Sequence, residues 1–445
     1  MTLRRTLLPL LLVLSSASPV AAQAVPRGPI APTAPLDADA RRDVVAQLSQ
    51  ALRDRYIFPD VGEKAAARIS AALAAGDYDR LTDPSAFAAR LAADVGAIAH
   101  DKHLNVSANG AMPGPPPGPP MLHAEAGITR ADKLDGGIGY IEVTNFPPPG
   151  MFKPVLDRAM IALKGSRALI IDVRRNGGGM PAAVSYLSSF LLPPEKAVVL
   201  NVIVMRDPKT SKLSRDSIFS QPTPVNFADV PIYVLTSKAT FSGGEGFAYE
   251  VQALKRATVV GEVTGGGANP SAPVPIGHGL MATIPFGRAE NPVTRTNWEG
   301  RGVQPDMTVP AADALKVALE KLGQKPVADI ETASRTRVFA PRTTPMEGTE
   351  AALRQAIAGF ISGKPDLTNW IPPAAAGVRD HLPEMQASLS ALGPLQSMRF
   401  REVGAMGEDR YEVTFAKGIF IIGIGLAPDG KIVGMSPPMP APPGH

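Results

Sequence analysis

The sequence predicts a layered α/β core set between a small N-terminal helical domain and a C-terminal α+β unit. Three observations carry this. Strand-like and helix-like runs alternate across residues 137–327. Residues 37–110 repeat Ala, Leu and Arg at helical spacing. Beyond a polar stretch at 328–348, helical patterns come first and strand patterns follow. A chain of 445 residues is long enough for this division and for a large core.

The elements follow in order. Residues 1–24 read as a secretory signal: Arg4-Arg5, an apolar run over 7–14, then small residues with cleavage near Ala22-Gln23-Ala24. The run is short for a membrane span, so an uncleaved anchor is the lesser reading. The expected location is the bacterial periplasm or the exterior, with no integral span once the signal is removed. Residues 25–36 form a Pro-rich linker. In the helical domain, Val44, Val45, Leu48 and Leu52 make an apolar stripe. Residues 111–136 form a Pro-rich connection, and Pro113 to Pro120 exclude a regular helix or central strand. The core then alternates: strand 138–143, helix 151–164, strand 168–173, helix 181–191, strands 198–205 and 231–236, helix 245–256, strands 258–261 and 279–285, closing helix 311–322. Residues 328–348, with Arg335, Arg337 and Arg342, read as a linker. Residues 349–445 give helices near 351–360 and 382–391, then four strands, with Pro428-Asp429-Gly430 as a hairpin turn.

Composition excludes several functions. There is no cysteine, hence no disulfide and no thiolate metal site. The net charge of +4 comes from interspersed charges with no basic tract, so a nucleic-acid partner is not expected. No cofactor motif stands out. His100 and His103 spell His-x-x-His, but no third ligand lies nearby in sequence, so no metal is assigned.

The chemistry centres on Ser242, in Thr240-Phe241-Ser242-Gly243-Gly244-Glu245 between a strand and a helix. A turn of this kind exposes the hydroxyl and aims free N–H groups and the positive end of the helix dipole at it. Acyl transfer needs such a pairing of nucleophile and oxyanion donors. Alone, a Ser in this position is usually just an N-cap.

Ordered blocks strengthen the case. Gly139-Tyr140-Ile141, Ala168 through Gly178, Thr236-Ser237, Ser242 through Glu245, Val260-Gly261-Glu262 and Gly302-Val303-Gln304-Pro305-Asp306 occur in sequence. Together they resemble the serine peptidase superfamily of C-terminal processing peptidases, tricorn peptidase and interphotoreceptor retinoid-binding protein. The resemblance covers roughly residues 37–322. It implies a crotonase/ClpP-like α/β core. The processing branch uses a Ser–Lys dyad and carries a PDZ domain. Here Thr264-Gly265-Gly266-Gly267-Ala268 has no lysine where that branch has its base, and about thirty residues between Val106 and Gly137 leave no room for a PDZ domain. The tricorn-like branch implies Ser242 as nucleophile, His103 of Asp101-Lys102-His103 as base, and Glu299 as its acidic partner. It implies oxyanion donors at Gly243 and at Gly178 or its neighbour. His100 and His278 are the rival bases, and His278 reads as a turn tip between Gly277 and Gly279. Asp172 is implied to be structural. Lys102 stands where relatives place Ser, and a cation beside the base would lower its pKa.

The C-terminal unit is weakly similar to nuclear transport factor 2-like domains and holds no nucleophile–base pair. It could be a lid, a dimer surface or a second pocket. The expected function is an exported serine-type peptidase acting on peptides or proteins through an acyl-enzyme, with no cofactor and with homo-oligomerisation left open. A non-catalytic protein that binds a peptide or apolar ligand on the same scaffold is the alternative.

Overall fold

The computed structural model describes residues 35–108, 124–327, 329–404, 406–427 and 429–441. The expected signal segment, nearly all of the first linker and the proline run at 113–120 lie outside these residues.

The N-terminal unit contains helices α1 (Ala38–Arg55), α2 (Pro59–Ala74) and α3 (Pro84–Ala99), followed by strand β1 (Asn105–Ala108). Asp37 caps α1 through the Ala40 N–H, and Asp83 caps α3 through the Ala86 N–H. The predicted stripe of Val44, Val45, Leu48 and Leu52 is buried. The α3 helix stops at His100, whose left-handed conformation (φ 53°) turns the chain toward Asp101 and His103.

The core runs β2 (Ile128–Leu134), β3 (Ile138–Val143), α4 (Pro149–Ala162), β4 (Ala168–Asp172), α5 (Pro181–Ser189), β5 (Val199–Arg206), β6 (Leu213–Phe219), β7 (Ile232–Thr236), α6 (Gly243–Ala253) and β8 (Thr258–Gly261). It continues with β9 (Ser271–Pro275), β10 (Leu280–Pro285), β11 (Gly287–Glu290), β12 (Met307–Thr308), α7 (Ala314–Lys321), α8 (Ile330–Ala333) and β13 (Ser334–Phe339). A seven-stranded sheet takes the order β12-β8-β7-β4-β3-β2-β13. Its β3, β4, β7, β8 and β12 are parallel, with β2 and β13 added antiparallel at one edge. Period-two alternation splits β4 between two cores. Leu169, Ile171 and Val173 face the α4, α5 and α6 layer, while Ala168 and Ile170 face α7. Helices therefore cover both faces, and β7 delivers its C-terminal end directly to the start of α6.

Three expectations change. Residues 328–348 are not a linker throughout. Residues 334–339 form edge strand β13, whose Arg335 pairs with Asp135 and whose Arg337 lies beside Glu331 and Asp132. Two of the basic residues that made the stretch look solvated, Arg335 and Arg337, are the exposed decoration of an edge strand. The connection 111–136 likewise contains β2. Finally, the N-terminal unit does not end at residue 110: β1 pairs with β10 and β10 with β9. Val274, Ile276, Leu280, Ala282 and Ile284 of that later hairpin sit in the helical domain's own core. A segment of the core sequence thus ties the helical unit to the sheet.

The C-terminal unit has α9 (Thr349–Ser362), α10 (Pro372–Ala391), β14 (Leu395–Val403), β15 (Asp409–Phe415), β16 (Gly418–Leu426), β17 (Ile432–Met435) and β18 (Met439–Pro440). The α10 helix bends at His381, just before Pro383, which is why its first half did not read as helical. Four strands form the meander β14-β15-β16-β17, and β18 pairs with β16. Among the described residues no helix is long and apolar enough to cross a membrane.

Candidate active site

Ser242 occupies the turn between β7 and α6 with φ 50° and ψ −115°. A residue with a Cβ held there stores about 1–3 kcal/mol of backbone strain, so the surroundings must over-determine it. They do. The Ser242 N–H donates to Glu245 Oε2 at 2.8 Å. Glu245 is fully buried and also accepts from the Gly266 N–H at 2.5 Å, the Gly267 N–H at 2.9 Å and the Thr264 hydroxyl. The Phe241 N–H donates to the Asn176 carbonyl at 2.9 Å. Burial pushes the Glu245 carboxyl up, and these four donors oppose the shift. Glu245 and Asn176 were visible in the motifs but received no role. A buried carboxylate three residues after a helix-capping Ser is the signal that could have identified Glu245.

The histidine expected as base reaches Ser242 from the segment between α3 and β1. His103 Nε2 lies 3.1 Å from Ser242 Oγ. Its ring packs on Phe241 with centroids 4.9 Å apart. A Cβ on Gly267 would sit 2.7 Å from His103 Cε1 and 2.3 Å from Phe241 Cζ, so the bare glycine makes the space that the imidazole fills. Burial lowers the His103 pKa, and Asp101 works against that shift. The reason differs from the expected one. Lys102 turns its ammonium to the Gly265 carbonyl, and burial, not a neighbouring cation, depresses the imidazole.

Two carboxylates stand beside the imidazole. Asp101, His103 and Glu299 each present a donor atom within 4.8 Å of the others. Asp101 Oδ1 accepts from the His103 N–H at 3.0 Å, and Oδ2 accepts from Tyr56 Oη at 3.1 Å and Asn269 Nδ2 at 2.9 Å. Burial, then the Asp101 charge, holds the Tyr56 hydroxyl protonated far above its ordinary range. Glu299 is pushed up to about 7 by burial and then by Asp101, against the lowering effect of the Ala268 and Lys102 N–H groups. The structure therefore brings Ser242 and His103 into hydrogen-bond reach and places Glu299 next to them without a direct bond. His103 Nδ1 and Glu299 Oε1 are both buried without a hydrogen-bond partner among the described residues. Asp101, which carried no assigned role, fixes the backbone of the base. Among the described residues this trio is the one His/Asp/Glu group compact enough to share an ion. Asp101 already accepts from three donors.

Of the two positions expected for the second oxyanion donor, Gly178 or its neighbour, the neighbour has the available N–H. The Gly178 N–H is committed to Asn176 Oδ1 at 2.8 Å. The free N–H belongs to Gly179, which lies 3.0 Å from the point where a Gly243 Cβ would stand. Neither the Gly179 nor the Gly243 N–H meets an acceptor among the described residues. A Cβ on Gly178 would fall 2.7 Å from Ser242 Cβ, so this glycine allows the loop to approach the serine. The rivals lie elsewhere: His100 ends α3, and His278 sits at a turn, its Nε2 3.5 Å from Asp43. Asp172 is buried between Arg174 and the Tyr140 hydroxyl (2.7 Å), a structural setting.

Comparison with known proteins gives a consistent picture. The family model described as Peptidase family S41 matches residues 137–309. The model described as the N-terminal domain of peptidase S41 in eukaryotic IRBP matches residues 38–126. The chain is 26% identical over 196 residues to the chloroplastic carboxyl-terminal-processing peptidase 1 of Arabidopsis thaliana, covering 43% of this chain and 38% of that one. It is 28% identical over 187 residues to a carboxyl-terminal-processing protease of Picosynechococcus, covering 40% and 42%. To the tricorn protease of Thermoplasma volcanium it is 26% identical over 136 residues, 31% of this chain and 12% of that one. The matches thus span less than half the length of these relatives. Among solved structures, a putative peptidase from Parabacteroides merdae aligns with TM-score 0.47 at 20% identity, over 66% of this chain and 95% of that one.

Proposed function

From the premise that this chain belongs to peptidase family S41, we propose that it is an exported serine peptidase whose base is His103 and not a lysine. The observation that carries the reading is the 3.1 Å contact between His103 Nε2 and Ser242 Oγ, at a strained turn flanked by two free N–H groups.

In this reading Ser242 Oγ attacks the scissile carbonyl carbon while its proton passes to His103 Nε2. The Gly243 and Gly179 N–H groups bind the developing oxyanion. The imidazolium then gives its proton to the leaving amine, an acyl-enzyme forms, and water activated by His103 releases it. Glu299, ionised, supplies the counter-charge for the imidazolium at its Nδ1 side. Substrates are peptides or proteins. The parallel sheet with helices on both faces supports a crotonase-like description of the core, and two helices against an antiparallel meander support the nuclear transport factor 2-like one. Export rests on residues 1–24, and fractionation of the expressed full chain tests it.

The decisive experiment is labelling with a fluorophosphonate probe. Wild type should react once per chain and Ser242→Ala should not. An unlabelled but folded wild type would leave the binding-protein alternative in its place.

A further inference from the structure

The C-terminal domain meets the core at the 125–128 turn and at residues 150–151, on either side in sequence of the Thr144–Phe146 segment that hydrogen-bonds the Gly177–Met180 loop. Residues 125–128 form a tight turn, with Ala126 (φ 48°) and Gly127 (φ 76°) left-handed and Glu125 paired to Ile128 through both backbone bonds. Glu125 is buried, and its Oε2 accepts from Arg158 at 2.8 Å. Arg342 completes it from the C-terminal side: its N–H reaches Oε2 at 3.1 Å and its Nε reaches Oε1 at 3.2 Å. The far end of the same guanidinium holds Asp409 Oδ1 at 2.7 Å and the Gly407 carbonyl at 3.2 Å. Asp409 is buried and is itself fixed by the Met346 N–H and the Thr349 hydroxyl. At this contact the two backbones nearly touch, since a Cβ on Gly407 would lie 2.8 Å from the Ala126 nitrogen.

From the turn the path to the oxyanion loop is continuous. The Gly127 carbonyl accepts from the Thr144 N–H at 2.7 Å and the Thr144 hydroxyl at 3.1 Å. The Thr144 carbonyl accepts from the Gly177 N–H at 3.2 Å. Phe146 then donates to the Gly178 carbonyl at 2.8 Å and accepts from the Met180 N–H at 2.7 Å, bracketing Gly179. Gly179 is held so close that a Cβ there would fall 2.0 Å from the Phe146 carbonyl oxygen. The second contact of the domain falls just after Phe146, at the start of α4, where Gly425 and Val433 meet Met151 and Gly150.

We propose that Arg342, bridging Glu125 and Asp409, is a positioning residue: the docked C-terminal domain sets the direction of the Gly179 N–H and so the strength of the oxyanion hole. This rests on the serine-peptidase reading. A guanidinium suits the task because its planar fork serves two carboxylates at once, which a lysine ammonium cannot do in one rigid geometry. Glycine at 407 keeps the two backbones in register.

The test uses the full chain and compares wild type with Arg342→Ala, Arg342→Lys and Gly407→Ala. The last variant alters the contact without removing a charge. Active sites are first titrated with fluorophosphonate, and kcat and KM for a chromogenic peptide are then expressed per titrated site. Losing one oxyanion donor costs about 10²–10³-fold, so a misaimed one should lower kcat per site by about 10- to 100-fold. KM should move little and the acid limb of the pH profile should stay in place, since His103 and Glu299 are untouched. Arg342→Lys should recover only part of the loss. If the variants merely contain fewer titratable sites, each working at the wild-type rate, the contact serves stability alone and the proposal is overturned. Failure of wild type itself to label at Ser242 would refute the peptidase reading instead.

Discussion

Replacing Glu299 with Gln should both slow the enzyme and move its pH profile. In the proposed mechanism the reactive form needs a neutral His103 and an ionised Glu299. Burial holds His103 below its ordinary value near 6.5, and burial with the Asp101 charge raises Glu299 to about 7. The higher of the two sets the acid limb, so kcat/KM of the wild type should fall below about pH 7. The cluster titrates as a unit, and the limb belongs to it and not to one residue. Gln cannot titrate. The limb of Glu299→Gln should then drop to that of His103, below the ordinary imidazole range. At pH 8 the variant loses the counter-charge for the imidazolium, and removing a triad carboxylate costs up to about 10⁴-fold in kcat. Asp101 remains nearby, so a loss of about 10²–10³-fold is expected. The assay is kcat/KM for a chromogenic peptide from pH 5 to 9, per titrated site. A limb that stays where it was in Glu299→Gln would refute this reasoning, because Glu299 would then not be the group that sets it.

Other outcomes follow from the same geometry. Gly267→Ala should place a methyl against the His103 and Phe241 rings and cut kcat by about 10²-fold, with circular dichroism unchanged. Lys102→Met should leave the acid limb in place, because the ammonium faces the Gly265 carbonyl. Glu250, buried on the nucleophile helix against Asn201 and Ser188, is raised to about 7 from an unfolded value near 4.5. The folded state therefore binds the extra proton, and stability should fall as pH rises from 4.5 to 7. Glu250→Gln should flatten that slope and raise stability at pH 8 by about 1–3 kcal/mol in urea melts. Truncation after Lys325 removes β13, bares the edge of β2 and deprives Arg130 of Glu331, so the shortened core should aggregate.

Much of this was legible in the sequence because local pattern and structure agree. The short, mostly apolar runs at 138–143 and 168–173 became central strands whose alternate residues face two different cores. Ser242 could be found because a strand, a small-residue turn and a helix follow one another. The parts that escaped depend on distant partners. Residues 334–339 look like a solvated linker until β2 is beside them. The hairpin at 271–285 belongs to the helical domain's core, which no local signal reveals. Gly178 and Gly179 look alike in a run of glycines, and only the Asn176 side chain, by taking one N–H, decides which is left free.

In the proposed mechanism the bare Gly267 explains why the base arrives from outside the core. A side chain at Gly267 would have to start in the volume in which His103 and Phe241 now stack, so a lysine at that position and His103 in its present place are sterically incompatible. Choosing histidine has a structural consequence. A lysine base would belong to the core alone, whereas His103 is carried by the chain between α3 and β1 and is anchored by Asp101 to Tyr56 and Asn269. The helical domain must therefore be locked to the core for the base to sit 3.1 Å from the nucleophile. The β9–β10 hairpin does this, since it leaves the core sequence, enters the helical domain's interior and pairs with β1 directly after His103. Loosening that hairpin, for example by Ile284→Ala, should lower the rate of Ser242 acylation well before it unfolds the sheet that holds Ser242.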